Sequence, residues 1–343
     1  MTLGGDLVQG TMTRGRFTAA TIAALGSIGL LTKRASAAQF TYKFGTDNSP
    51  QHPSAIEGAK AFDAIRRETN GSVDIQLFPN NQLGGATAML QQVRTGALQF
   101  MLIDGVTLGD VVDVAAIQGI GFAFRDTPHA LTAFDGDLGG YVHDEIMKRD
   151  LYAFRSIFLN GMREVTSSKG AITGPDSFNN FKIRVPPAKM SVDLFKSLGA
   201  SPTPISFNEL YTALQTKIVD GQENPLANID TARLYEVQKY LSLTNHMWSG
   251  FWLIGNQDAW NALAPDQRTA VERNFAKFAA AQRKGTDGMN ASLARGLASK
   301  GLTVNTTSGD AFKPKLAPYY ARWKGEFGNT AWTLLEKYSG KLG

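Results

Sequence analysis

The sequence predicts an α/β fold made of two lobes. Three observations carry this expectation. Short apolar runs alternate with longer runs of helical spacing, no Pro/Ser-rich linker separates two independent halves, and one helical stretch is long enough to brace two lobes. Strand–helix–strand alternation predicts parallel sheets with helices on both faces. The 343 residues leave room for about two domains. Hydrophobic content of 43% with 19% charged residues supports a packed core and argues against global disorder.

The elements follow in order. Phe40–Gly45 reads as a strand. Ser54–Thr69 reads as an amphipathic helix, with Ile56, Ala59, Phe62 and Ile65 at helical spacing and Asn70-Gly71 as its stop. Val73–Phe78 alternates as a strand, Gly85–Thr95 is helical up to Gly96, and Phe100–Ile103 is a short buried strand. Ala153–Leu159 and Lys182–Val185 are further strands. Pro187 suits the first turn of a helix over Ala188–Leu198. Ser206-Phe207-Asn208-Glu209 has the form of a capping box and starts a helix to about Lys217. Ala264-Pro265-Asp266 opens a helix with no proline until past Gly296, either continuous or broken near Gly285 or Gly288.

Several chemistries are excluded or weakened. The chain has no cysteine, which removes a disulfide scaffold, a thiolate metal site, a cysteine nucleophile and a lipid-modified cysteine. His52, His129, His143 and His246 do not pair at metal-ligand spacing. No phosphate-cradling loop, dinucleotide fingerprint or nucleophile elbow occurs. No catalytic residue, cofactor or metal is expected, and the protein is not expected to be an enzyme.

Arg14 and Arg16 precede the apolar run Phe17–Leu31, and Ala35-Ser36-Ala37 follows. This is the pattern of a secretory signal peptide, with cleavage expected near Ala37-Ala38 and a periplasmic mature chain. The run is short for a bilayer span, which needs about 20 residues. Residues 1–37 carry four basic groups and one acid, so the net charge of +5 falls to about +2 without them. That balance argues against nucleic acid as a partner. No coiled-coil pattern or spare apolar helix appears, so a monomer is expected.

In open α/β sheets, ligands sit beyond the carboxyl ends of strands. Asp47 and Asn48 follow the first strand, and Asp104 follows Phe100–Ile103. Arg163 lies in Asn160-Gly161-Met162-Arg163, Arg184 near the end of Lys182–Val185, and Asn224 at the end of the run from Ile218. Two arginines at strand ends suit anions, because a guanidinium fork matches a carboxylate bidentately.

Four stretches then occur in a telling order: Lys182-Ile183-Arg184-Val185-Pro186, Leu198-Gly199-Ala200-Ser201-Pro202-Thr203-Pro204, Glu209-Leu210-Tyr211-Thr212-Ala213-Leu214-Gln215 and Val219-Asp220-Gly221-Gln222-Glu223-Asn224-Pro225. Together with Phe78-Pro79, Gln82-Leu83-Gly84 and Tyr235–Tyr240, they resemble TRAP-transporter periplasmic solute-binding proteins along essentially all of the chain after the leader. The resemblance implies a periplasmic-binding-protein-like fold, two α/β lobes with a hinge and a long lobe-spanning helix. It implies a receptor that delivers a small organic carboxylate to TRAP-type membrane permease subunits. By the same resemblance Arg184 holds the ligand carboxylate, with Arg163, Asn224 and Phe207 around it. Sialic-acid receptors of this family carry a glutamate where this chain has Asp104 and an arginine where it has Thr107, which argues against sialic acid. In some relatives the counterpart of Glu223 bridges a calcium; a lone acid here points instead to a role in the turn.

The expected organisation is a signal peptide and upstream tail over 1–37, lobe I over 38–160 plus about 249–288, lobe II over 161–248 plus about 289–316, and a C-terminal helical segment over 317–343. Three of the five tryptophans fall between 248 and 260. Trp248 and Phe251 are therefore expected to contact the organic body of an aromatic or hydroxy monocarboxylate, unless these rings pack the core. Asp104, Asp47 and Asn48 are expected to read its polar substituents. A sugar acid or 2-keto acid, a non-TRAP binding protein and a sensor are the alternatives.

Overall fold

A computed structural model describes residues 38–343. The expected leader and its cleavage pattern lie outside the described residues. Among the described residues, no helix is long and apolar enough to cross a membrane.

The chain forms two α/β lobes joined through one ten-stranded sheet. Its strands are β1 Phe40–Gly45, β2 Val73–Phe78, β3 Phe100–Asp104, β4 Leu151–Ala153, β5 Phe158–Ser167, β6 Lys182–Val185, β7 Ser201–Pro204, β8 Gly221–Pro225, β9 Tyr240–Asn256 and β10 Thr303–Thr306. The order is β2-β1-β3-β9-β5-β8-β6-β7, with β4 and β10 pairing at either end of β9. β1 pairs in parallel with β2 and β3, and β6 pairs in parallel with β7 and β8. The 17 residues of β9 and the 10 of β5 run antiparallel to each other across both groups.

The pairing of β5 with β9 is interrupted where they cross. Arg163 faces Met247, but Val165 already faces Ser242, so Glu164 stands against the bulged residues 243–246. Asn245 adopts a left-handed φ of 43° in this bulge. The Glu164 carboxylate caps it, accepting the Asn245 backbone N–H at 2.9 Å. Such a bulge twists a strand and ends its regular pairing locally.

The long helix is continuous over Pro265–Ser299. Gly285 does not break it, because its helical turn packs against the helix Pro53–Glu68 at Pro53. Gln282, fully buried, fastens the helix to the crossing strand: its Oε1 accepts from Leu159 N at 3.0 Å and its Nε2 donates to Leu159 O at 2.6 Å. This replaces ladder partners missing at the Leu159–Gly161 irregularity of β5.

Three local expectations differ. Ala153–Leu159 is not one strand; β4 ends at Ala153 and β5 begins at Phe158. The helix after Pro187 begins at Lys189 with Ala188 as its N-cap, so Pro187 precedes the cap. Ser206 is the N-cap of the helix Phe207–Gln215, but its side chain makes no capping bond. The C-terminal helical segment is present over Ala317–Ser339, kinked at Gly328 with φ 77°.

Candidate functional site

The strand ends converge on a small cavity of about 40 Å³ between the lobes. Asp47 and Asp104 reach it from β1 and β3, Asn160 and Arg163 from β5, and Arg184 from β6. Asn224, Asn228, Phe207, Phe251, Thr107 and Pro186 complete the wall. Opposite sides of the cleft touch directly, since Asn228 Nδ2 donates to Asn48 Oδ1 at 3.2 Å.

The two arginines are held very differently. Arg163 forks onto the Glu223 carboxylate, with Nε bonded to Oε2 and Nη2 donating to Oε1 at 2.8 Å. Nη2 also donates to Glu223 O at 3.1 Å and Asn224 Oδ1 at 3.4 Å. Nη1 lies 3.5 Å from both Asp104 Oδ2 and Ser249 Oγ. His246 Nε2 lies 3.2 Å from Glu223 Oε2. Burial alone would raise the Glu223 carboxyl, but the charge and hydrogen bonds of Arg163, with the His246 contact, hold it down at about 2. Burial lowers the His246 imidazole.

Arg184 is 2% exposed, and its only hydrogen bond among the described residues runs from Nε to Ile205 O at 2.7 Å. Among the described residues, no carboxylate lies within ion-pair distance of it. Its flanking residues Ile183 and Val185 face the apolar core, which puts the Arg184 side chain on the opposite face of β6. The Phe207 ring lies 5.9 Å from its guanidinium carbon. Burial pulls the guanidinium down to about 10. The group remains charged at neutral pH, so the cleft holds a desolvated cation whose terminal N–H groups have no protein acceptor.

The opposite wall offers acceptors. Asp104 is already engaged by Val106 N at 2.8 Å, Gln118 Nε2 at 3.3 Å and the Ser249 hydroxyl. Asp47 has no side-chain partner; burial, then the neighbouring Asp104 charge, pushes it up to about 6. The Oδ1 atoms of Asn160 and Asn228 are buried without a partner. Their amide orientation is set by the network. Ser249 gives its proton to Asp104 and accepts from Asn160 Nδ2 at 2.8 Å, and Asn48 gives Nδ2 to Ser54 Oγ at 2.9 Å and accepts from Asn228. Both free atoms are therefore carbonyl oxygens.

Two expected residues do not line this cavity. Trp248 stacks on Phe134 at 5.1 Å and is 1% exposed within the core. Trp248 and Trp252 lie four residues apart on one face of β9, whereas Phe251 faces the other core cluster and the cleft. Asn48 is buried behind Asn228 and orients it. Sequence reasoning did not select Asn160 or Asn228. Their available signals were position alone, three residues before Arg163 and four after Asn224. Among the described residues, no cluster of three or more His, Cys, Asp or Glu could hold a metal.

Residues 44–326 match the DctP family, described as bacterial extracellular solute-binding protein, family 7. The chain is 31% identical over 305 residues to the sialic acid-binding periplasmic protein SiaP of Vibrio cholerae, covering 88% of this chain and 95% of that one. It is 38% identical over 272 residues to the uncharacterized protein y4mM of Sinorhizobium fredii; the match covers 77% of this chain and 49% of that longer relative. A TRAP periplasmic solute-binding protein of Polaromonas bound to D-erythronate superposes with a TM-score of 0.83 at 29% identity, covering 89% of this chain and 99% of that one. The sugar acid binding protein DctPAm of Advenella mimigardefordensis, in complex with galactonate, gives 0.84 at 26% identity over 90% and 100% of the two chains. Matches of this length to both sequence and structure fix the family: this chain is a bacterial extracellular solute-binding protein of family 7, the periplasmic solute receptors of TRAP transporters.

Proposed function

We propose that the protein is a periplasmic receptor for a small hydroxylated monocarboxylate, which it delivers to TRAP-type permease subunits. One observation carries the reading. Arg184 is a buried cation with no counter-ion among the described residues, facing a cavity in which Asp47 and the Oδ1 atoms of Asn160 and Asn228 are acceptors without partners. A ligand carboxylate neutralises Arg184 through the free terminal N–H groups, in the planar geometry an arginine favours. Hydroxyl donors at the far end suit Asp47 and the carbonyl oxygens of Asn160 and Asn228. A second carboxylate would face Asp47 and Asp104, so a dicarboxylate is disfavoured by like charge.

The buried positions of Trp248 and Trp252 remove the main support for an aromatic acid, leaving the hydroxy-acid branch and its sugar-acid form. Relatives that bind D-erythronate and galactonate are in keeping with this choice. The test is a thermal-shift panel of erythronate, galactonate, phenylacetate and succinate. A ligand at about 100 times its Kd adds about 2.7 kcal/mol of stability. The hydroxy acids should shift the transition. A shift with phenylacetate or succinate and none with either hydroxy acid overturns the reading. Export with cleavage near Ala37-Ala38 is part of the proposal, and the intact mass of the exported protein checks it.

A further inference from the structure

A second hollow lies against the first. It has a volume of about 440 Å³ and is lined from both sides of the cleft, by Ser49, Asn80 and Asn81 on one side and Phe207, Asn208 and Tyr211 on the other. Phe207 lines both hollows. They also share a backbone segment: Asp47 lines the inner cavity and Ser49 the outer groove. The turn at Asn80–Asn81 is fastened to that segment, with Asn80 N donating to Asn48 O at 2.8 Å and Asn81 N to Thr46 O at 3.2 Å.

Size separates the two. Small-molecule sites commonly enclose about 300–1,000 Å³. The groove falls in that range and the inner cavity, at about 40 Å³, falls far below it. Chemistry separates them too. The inner cavity carries unpaired charge at Arg184 and Asp47, whereas the charges of the groove cancel within it. Arg233 is paired with Glu236, and Tyr211 Oη donates to Glu236 Oε2 at 3.0 Å. What remains is amides, the Ser49 and Thr231 hydroxyls and the Phe207 and Tyr211 rings. Ser49 is 8% exposed and its Oγ is buried without a partner, as is Asn81 Oδ1. Buried polar atoms without partners are costly, and hydroxyls of a ligand would satisfy them.

Building on the reading that Arg184 takes the carboxylate, we infer that this groove is a second subsite, holding a neutral polyhydroxylated extension such as a glycosyl group. The acid end then sits at Arg184, the linkage passes Phe207, and the neutral part lies between Ser49, Asn81 and Tyr211.

Calorimetric titration with glucuronate, and with glucuronate bearing one neutral hexose, tests the assignment. The wild-type protein should bind the hexosyl acid about tenfold more tightly, equivalent to about 1.4 kcal/mol. Ser49→Ala removes the buried hydroxyl. Asn81→Gly removes the amide and keeps the left-handed backbone, φ 59°, that glycine tolerates. Each variant should remove most of the hexosyl advantage, and Ser49→Ala should leave glucuronate affinity unchanged. Glucuronate binding with an equal or weaker hexosyl acid overturns the subsite and leaves the hydroxy-acid reading standing. So does an equal loss for both ligands in the variants. Binding of neither ligand by the wild-type protein overturns the subsite together with the sugar-acid form of that reading.

Discussion

Arg163 and Arg184 are both buried in one cleft, yet the protein treats their charges oppositely. Arg163 is neutralised from within by Glu223 and Asp104, with nearly every N–H assigned. Arg184 has a backbone carbonyl and the Phe207 ring beneath its guanidinium. A charge satisfied by the protein holds the fold; under the proposed function, the charge left without a partner is stability held back for a ligand. The same contrast exists among the acids. Glu223 is ionised because Arg163 lies against it, whereas Glu164, 3% exposed and capping the β9 bulge without a basic partner, is pushed up to about 8 by burial.

The largest effect is expected at Glu223. Glu223→Ala leaves Arg163 buried without its main counter-ion, and breaking a buried pair from one side costs about 3–5 kcal/mol. Denaturant unfolding should show that loss. A loss under about 1 kcal/mol would mean that Arg163 is solvated without Glu223, and the contrast with Arg184 would dissolve.

Arg184→Ala should leave the fold intact and weaken ligand binding by about 100-fold, the loss of a charge-assisted fork worth about 2–3 kcal/mol. Arg184→Lys keeps the charge without the fork and should recover only part of the affinity. Titration of the responding hydroxy acid reads both. Near-normal affinity in Arg184→Ala contradicts the assignment.

Glu164 differs from Glu223 in its response to pH. Its folded carboxyl is raised, so its contribution is fully present below the unfolded value near 4.5 and is lost as pH rises towards 8. Glu164→Gln should match the wild type near pH 5 and exceed it above pH 8 by on the order of 3 kcal/mol. Melting curves at three pH values suffice, and an equal difference at every pH would show that the carboxyl is not titrating.

The smallest effect is expected at Asp47. Asp47→Asn should weaken a hydroxy acid by about five- to tenfold, one hydrogen bond to a charged acceptor, while leaving the matching deoxy acid unchanged. Equal loss for both ligands would place Asp47 outside the polar end of the site.

The backbone framework was legible in the sequence because strand runs such as Phe40–Gly45 and Val73–Phe78 have clear period and clear stops; both are observed with those bounds. Arg184 was legible because alternation in Lys182–Val185 sets its face. The pairing of Arg163 with Glu223 was not. Those residues lie 60 positions apart, and only the register of β5 on β8 brings them together. The tryptophans misled for a related reason: the aromatic run around Trp248 is dense, but only the packing on either side of β9 decides that Trp248 and Trp252 face the core while Phe251 faces the cleft. Asn48 was selected and Asn228 was not, since a strand-end rule finds the residue after β1 and cannot see that a helix residue stands in front of it.

Arg184→Met tests, in one pair of melting curves, whether Arg184 is kept unpaired for the ligand. Replacing a buried, unpaired cation with an apolar side chain of similar length should raise the melting temperature of the ligand-free protein, and should abolish the ligand-induced shift. A ligand-free protein that melts lower than the wild type, or a ligand shift that survives the substitution, would contradict it.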